Sequence, residues 1–201
     1  GSLETSHLCV GIVNAVDMNP DLFTPEEMAE IKQALLDKGM YLTKNWIERN
    51  YQPEKDVTNW FTVLLTSLVV ISAFLDLEEE VDAILEMYEH VSKLFNKDSY
   101  GEPVGYWSYA AVHMVEIREY VSRYKKELGE KLNTDSYANC IPWAVASFLR
   151  MQKLKGWEDP LYPLSLNFGD SAYIRRMHAK LLLSVACTEK EKNPKLAGLS
   201  R

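Results

Sequence analysis

Between Val57 and Leu75 the chain runs nineteen residues without a charged side chain. That length reaches what a membrane-spanning helix needs, about 20 predominantly apolar residues. However, Thr58, Asn59, Thr62, Thr66, Ser67 and Ser72 interrupt the run at several depths. A helix that is uncharged yet repeatedly polar suits the inside of a helical protein better than lipid. It reads as a core helix, which other helices must cover.

The flanking segments carry the helical period. Thr24-Pro25-Glu26-Glu27 joins a cap, a proline at the first helical position and a glutamate three residues after the cap. The helix it opens runs toward Asn50, with Met28, Ile31, Leu35, Leu36 and Met40 as its stripe and Gly39 as a bend or break. Leu77 to Phe95 is amphipathic through Val81, Ile84, Leu85, Tyr88, Val91 and Leu94. After a Gly- and Pro-bearing loop from Asn96 to Gly105, a helix is expected over about 106–131. Further helices are expected from Thr134 or Asp135 to about Lys155 and from Asp170 or Ser171 to Ala186, separated by a loop from Gly156 to Gly169. Pro142 is tolerable only in or near a first turn. With a short helix near residues 5–16, this makes about seven helices and no strand. Residues 1–187 are expected as one all-α domain, with inner helices covered on both sides, and residues 188–201 as a frayed polar tail.

A chain of 201 residues, 47% hydrophobic and 25% charged, can bury a core without disulfides or metal. The net charge of −7 argues against a general nucleic-acid binder. The charge is uneven. Residues 1–100 carry 7 basic and 18 acidic side chains, whereas 101–201 carry 15 and 11. An anionic ligand would look to the second half, although solvated helix faces are the simpler reading of both halves. Cys9, Cys140 and Cys187 are an odd number without metal-like spacing and read as buried thiols. His7, His90, His113 and His178 also lack ligand spacing and read as core or surface histidines. No metal and no cofactor is expected.

Two local sequences can carry chemistry. In Asp98-Ser99-Tyr100-Gly101-Glu102-Pro103-Val104-Gly105-Tyr106-Trp107-Ser108-Tyr109-Ala110, a loop delivers two tyrosines and a tryptophan to a helix start. Their rings can stack on sugar faces, and a phenol can carry a proton, though at a pKa of about 10 it is a poor base until its surroundings shift it. An aromatic plug in the core is the simpler reading. Thr58-Asn59-Trp60 opens the uncharged helix. An Asn amide facing a cavity can hydrogen-bond a carboxylate without itself being charged, but Asn is also a common helix cap. A third stretch, Asn167-Phe168-Gly169-Asp170-Ser171, reads as a turn and cap.

Asn59-Trp60 followed about 40 residues later by Asp98-x-x-Gly101-Glu102-x-x-Gly105-Tyr106-Trp107-x-Tyr109-Ala110 resembles the helical domain of heparinase II/III-like polysaccharide lyases. Val16-Asp17-x-x-x-Asp21-Leu22-Phe23-Thr24-Pro25-Glu26-Glu27 is similar to the preceding junction of that family, and Asn167–Ser171 to a later turn. The resemblance spans roughly residues 10–185. It implies an incomplete (α/α) toroid and β-elimination of uronic-acid polysaccharides in the periplasm or outside the cell. The chain begins Gly1-Ser2, so a native leader is expected to be missing. In the family pattern the position of Asn59 neutralises the substrate carboxylate, that of Tyr106 acts as acid and sometimes base, and a histidine further along assists. Trp60, Trp107, Tyr109 and Glu102 are then the expected substrate-binding residues, with charge from some of Arg118, Arg150, Arg175 and Arg176. The bulky Phe61-Thr62-Val63-Leu64-Leu65 and Pro103 depart from the small residues usual there. The resemblance implies a β-sandwich after the toroid, so the chain is expected to be either a piece of a larger lyase-like protein that has one or a domain with a degenerate, inactive site. The expected partner is an acidic polysaccharide or oligosaccharide, with no nucleic acid and no membrane span. A non-catalytic helical carbohydrate-binding or scaffold module is the alternative. A hydrolase would need two carboxylates about 5–10 Å apart, and Glu102 has no obvious partner.

Overall fold

The chain opens with α1 (Leu3–Met18), capped by Ser2, whose Oγ accepts from the Thr5 N–H. The structure is a computed structural model that describes residues 2–51, 59–93, 95, 98–153, 161–166 and 177–200. A 3-10 turn at Pro20–Leu22 leads to α2 (Pro25–Ala34). The expected capping box is present. Thr24 Oγ1 accepts from the Glu27 N–H at 3.2 Å, and Glu27 Oε2 accepts from the Thr24 N–H at 2.8 Å.

At Gly39 the helix does not break. It passes through a π-helical segment, Leu35–Met40, and continues as α3 (Tyr41–Asn50). A Cβ at Gly39 would lie 2.8 Å from Cys9 Sγ and 3.0 Å from Ile71 Cδ1. The bare backbone at Gly39 therefore lets Cys9 of α1 and Ile71 of the uncharged helix press close.

That uncharged helix is α4 (Asn59–Phe74), and every residue from Phe61 to Ser72 is buried. Three of its buried polar side chains bond back onto the helix itself, whereas Ser72 Oγ is buried with no hydrogen-bond partner among the described residues. Thr62 Oγ1 donates to the Asn59 carbonyl at 2.7 Å, Thr66 Oγ1 to that of Thr62 at 2.8 Å, and Ser67 Oγ to that of Leu64 at 2.9 Å. Ser67 also reaches Ser6 Oγ of α1 at 3.1 Å. Back-bonding of this kind meets the rule that buried polar atoms need partners. Asp76, at φ 57°, turns the chain into α5 (Glu78–Ser92), whose three leading glutamates suit the positive end of the helix dipole.

The long helix α6 (Val104–Tyr124) follows, then α7 (Lys126–Lys131), α8 (Asp135–Ala138) and α9 (Ile141–Ala146), with Pro142 in its first turn as expected. Residues 1–91 and 116–132 form one compact unit; residues 92–115 and 133–201 form another. In the second unit the single helix expected from Thr134 or Asp135 to Lys155 is split into α8 and α9, the second of which starts at Ile141 and ends at Ala146. β1 (Phe148–Gln152) instead pairs antiparallel with β2 (Tyr162–Ser165), opposing Phe148 to Ser165 and Arg150 to Leu164, with the ladder irregular between Phe148 and Arg150. Leu149, Arg150, Met151 and Gln152 are good helix formers locally, so the strand depends on a partner about a dozen residues away.

Two more expectations change here. Helix α10 covers Ala179–Thr188, so His178 is its N-cap residue rather than a helix-interior one; residues 170–176 lie outside the described residues. The tail expected to fray forms α11 (Pro194–Leu199), with Leu196 and Ala197 buried. The fold is mostly helical, with the hairpin as an addition that the helical period did not foretell. No helix among the described residues is long and apolar enough to cross a membrane.

Candidate functional site

In the first unit the candidates are Asn59 and Trp60, at the start of α4. Asn59 is buried, and its carbonyl closes the first turn through Thr62. Trp60 is 39% exposed. Its indole stacks on that of Trp46 from α3, with centroids 5.8 Å apart and planes at 24°. Trp46 in turn meets Phe61, and Phe61 meets Tyr51. Local sequence gives no sign of Trp46, because the pairing is a contact between two separate helices.

In the second unit the loop before α6 is anchored by aromatic packing. Tyr100 is buried against Phe95, with ring centroids 5.0 Å apart, and Phe95 meets the Tyr137 ring edge-on. Burial, then the neighbouring Glu102 carboxylate, push the Tyr100 phenol well above the ordinary tyrosine range. Glu102 is therefore engaged with Tyr100, which counts against a free substrate-binding role.

Within α6 the candidate aromatics separate. Trp107 is fully buried and packs edge-on against Trp143 of α9, with centroids 6.2 Å apart. A ring so enclosed cannot stack on a sugar; it is the core plug that the sequence allowed. The same packing holds Cys140, whose thiol burial pushes up to about 12 while the Trp107 indole pulls it partly back. Tyr106 and Tyr109 remain half-buried. One turn after Tyr109 stands His113, buried, with its ring edge-on to the tyrosine at 5.0 Å.

The same stretch of α6 also receives a second histidine. Ser108 Oγ accepts the His178 backbone N–H at 2.8 Å, so the exposed His178 is tied to a residue lying between Tyr106 and Tyr109 in the chain rather than sealed in a helix. Local sequence carries no sign of this, because the contact joins residues 70 positions apart.

The remaining candidates contribute less. Among the described residues the buried Arg118 Nε has no hydrogen-bond partner, and exposed Arg150 donates to Gln152 on the hairpin. Arg175, Arg176 and the Asn167–Ser171 turn lie outside the described residues. Cys9 and Cys140 are buried as expected, but Cys187 is exposed. Among the described residues no group of three or more His, Cys, Asp or Glu side chains could hold a metal ion. No family model matches the chain, and no curated protein matches it significantly.

Proposed function

We propose that the chain is a helical carbohydrate domain of the heparinase II/III-like type, an incomplete (α/α) toroid that acts on uronic-acid polysaccharide by β-elimination in the periplasm or outside the cell. The observation that carries this reading is the tie between His178 and Ser108. It holds the backbone of a downstream histidine against the helix that bears Tyr106 and Tyr109, and the family pattern includes a histidine further along the chain.

In β-elimination a base removes the proton beside the substrate carboxylate. The electron pair forms a carbon–carbon double bond, the bond to the leaving sugar oxygen breaks, and that oxygen takes a proton. Tyr106 is the proton carrier at the leaving oxygen, and His178 assists it. Asn59 takes the carboxylate-neutralising role on the resemblance alone. Charge neutralisation is the largest demand of such a step.

Incubation with uronic-acid glycans, followed by the ultraviolet absorbance of the unsaturated product, tests the reading. Tyr106→Phe is expected to slow product formation about a hundredfold or more. Full activity in that variant overturns the assignment.

A non-catalytic glycan-binding module is the second reading, favoured by the enclosed Trp107 and by Glu102 held at Tyr100. Glycan binding by the wild type without any unsaturated product would establish it instead.

A further inference from the structure

Trp60 sits in the first turn of a helix that is otherwise buried, yet 39% of it is exposed. Its indole is not loose. Trp46 backs one face, Phe61 lies 5.5 Å from Trp46, and Tyr51 lies 5.4 Å from Phe61 with its own ring edge-on to His90. An aromatic plate fixed in this way loses little conformational entropy when a ligand settles on it.

Its surroundings are mixed in polarity. On α3, Asn45 adjoins Trp46, while Arg49 and Asn50 follow three and four positions later and so share its side of the helix. Asn50 Nδ2 donates to the Trp46 carbonyl at 2.7 Å. Leu42, one turn earlier, adds apolar surface at the other end.

We propose that Trp60, backed by Trp46, is a stacking subsite for a pyranose ring of an oligosaccharide, recognised by its apolar C–H face. A sugar ring has the matching shape, with one flat C–H face and hydroxyls around its edge for the polar side chains of α3. Charge argues for the same occupant. This unit carries 10 basic and 21 acidic side chains, so it offers little to a carboxylate, whereas stacking needs no charge. The inference rests on the carbohydrate reading and adds to it a binding contribution independent of salt.

Calorimetric titration of the full chain with a uronic-acid tetrasaccharide, at low and at high salt, tests it. Trp60→Ala is expected to weaken binding about tenfold, the scale of losing an aromatic anchor, and by the same factor at both salts. Trp60→Tyr should restore most of the loss. In the wild type, the indole N–H NMR signals of Trp60 and Trp46 should shift on titration while that of Trp107 stays still, and these signals decide the matter if Trp60→Ala does not fold. Wild-type binding with unmoved Trp60 and Trp46 signals overturns the subsite and leaves the carbohydrate reading standing. A wild type that binds no oligosaccharide overturns both. A dimer that Trp60→Ala dissolves would assign the surface to a second copy of the chain and also overturn the subsite.

Discussion

Gly129 in α7 makes a tighter approach than Gly11, Gly39, Gly101 or Gly198. A Cβ there would fall 2.0 Å from Ser122 Oγ and 2.6 Å from both Cα and N of Ser122. Two of those three atoms are backbone, so no rotamer change can relieve the clash. Gly129→Ala is expected to cost about 1–3 kcal/mol, the usual range for overpacking, seen as a lower midpoint in thermal unfolding. Pairing it with Ser122→Gly should restore little, since the backbone contacts persist; full rescue would show that the hydroxyl alone was at fault. Cys140 and Tyr100 make a different prediction, about alkaline pH. Both groups have folded-state pKa values above their ordinary ones, the thiol at about 12, because burial penalises their charged forms. Their protonated forms are thus favoured by folding. The stability they contribute is complete below the ordinary thiol value of about 8.5 and is lost as pH rises from there through the folded values. The unfolding midpoint should fall between about pH 8.5 and pH 11, and Cys140→Ala should make that fall shallower. An equal slope in both proteins would remove Cys140 from the account.

Helices α10 and α11 pose the same kind of question for whole elements. The polar composition of residues 188–201 reads as a frayed tail, yet Asn193 Oδ1 accepts from the Leu196 N–H at 3.2 Å, and Pro194 starts the helix. Lys192 adds a tie between Glu189, at 2.9 Å, and Asp135 of α8. Leu196 is 4% exposed, so Leu196→Ala should cost about 2–4 kcal/mol, against about 1 kcal/mol for Asn193→Ala. Neutral effects on thermal unfolding in both variants would return the segment to a frayed tail. Elements whose signals are local were legible in the sequence: the Thr24 capping box and the buried uncharged helix. Elements that depend on distant partners were not. The hairpin needs Tyr162–Ser165 beside Phe148–Gln152, and the π-helical passage at Gly39 needs Cys9 and Ile71 packed against it. The candidate site divides in the same way. The residue types at Asn59 and Tyr106 were readable, whereas Trp46 under Trp60 and His178 beside Ser108 come from contacts between separate elements.

At the scale of the whole molecule, the net charge of −7 conceals a division that follows the two structural units. Residues 1–91 and 116–132 carry 10 basic and 21 acidic side chains; residues 92–115 and 133–201 carry 12 and 8. A polyanion therefore meets repulsion from the molecule as a whole and attraction from the unit that holds Tyr106, Tyr109 and His178. These two effects have opposite salt dependence. Long-range repulsion fades beyond a Debye length of about 10 Å at 0.1 M salt, so added salt relieves it and binding tightens. Contacts with nearby cations weaken as salt rises. If the uronate binds on the positive unit, the local effect dominates, because the nearest cations supply the largest share of its Coulomb energy and salt ions compete with it for them. The affinity for a uronic-acid oligosaccharide should then fall as salt is raised from about 0.02 to 0.3 M, while that for a neutral oligosaccharide of equal length stays constant. Lys180→Glu, which reverses an exposed charge in the first turn of α10 two residues after His178, should weaken the acidic ligand alone and flatten its salt dependence. An affinity that rises with salt would mean that the global charge governs the encounter, and the positive unit would lose its claim to the polyanion.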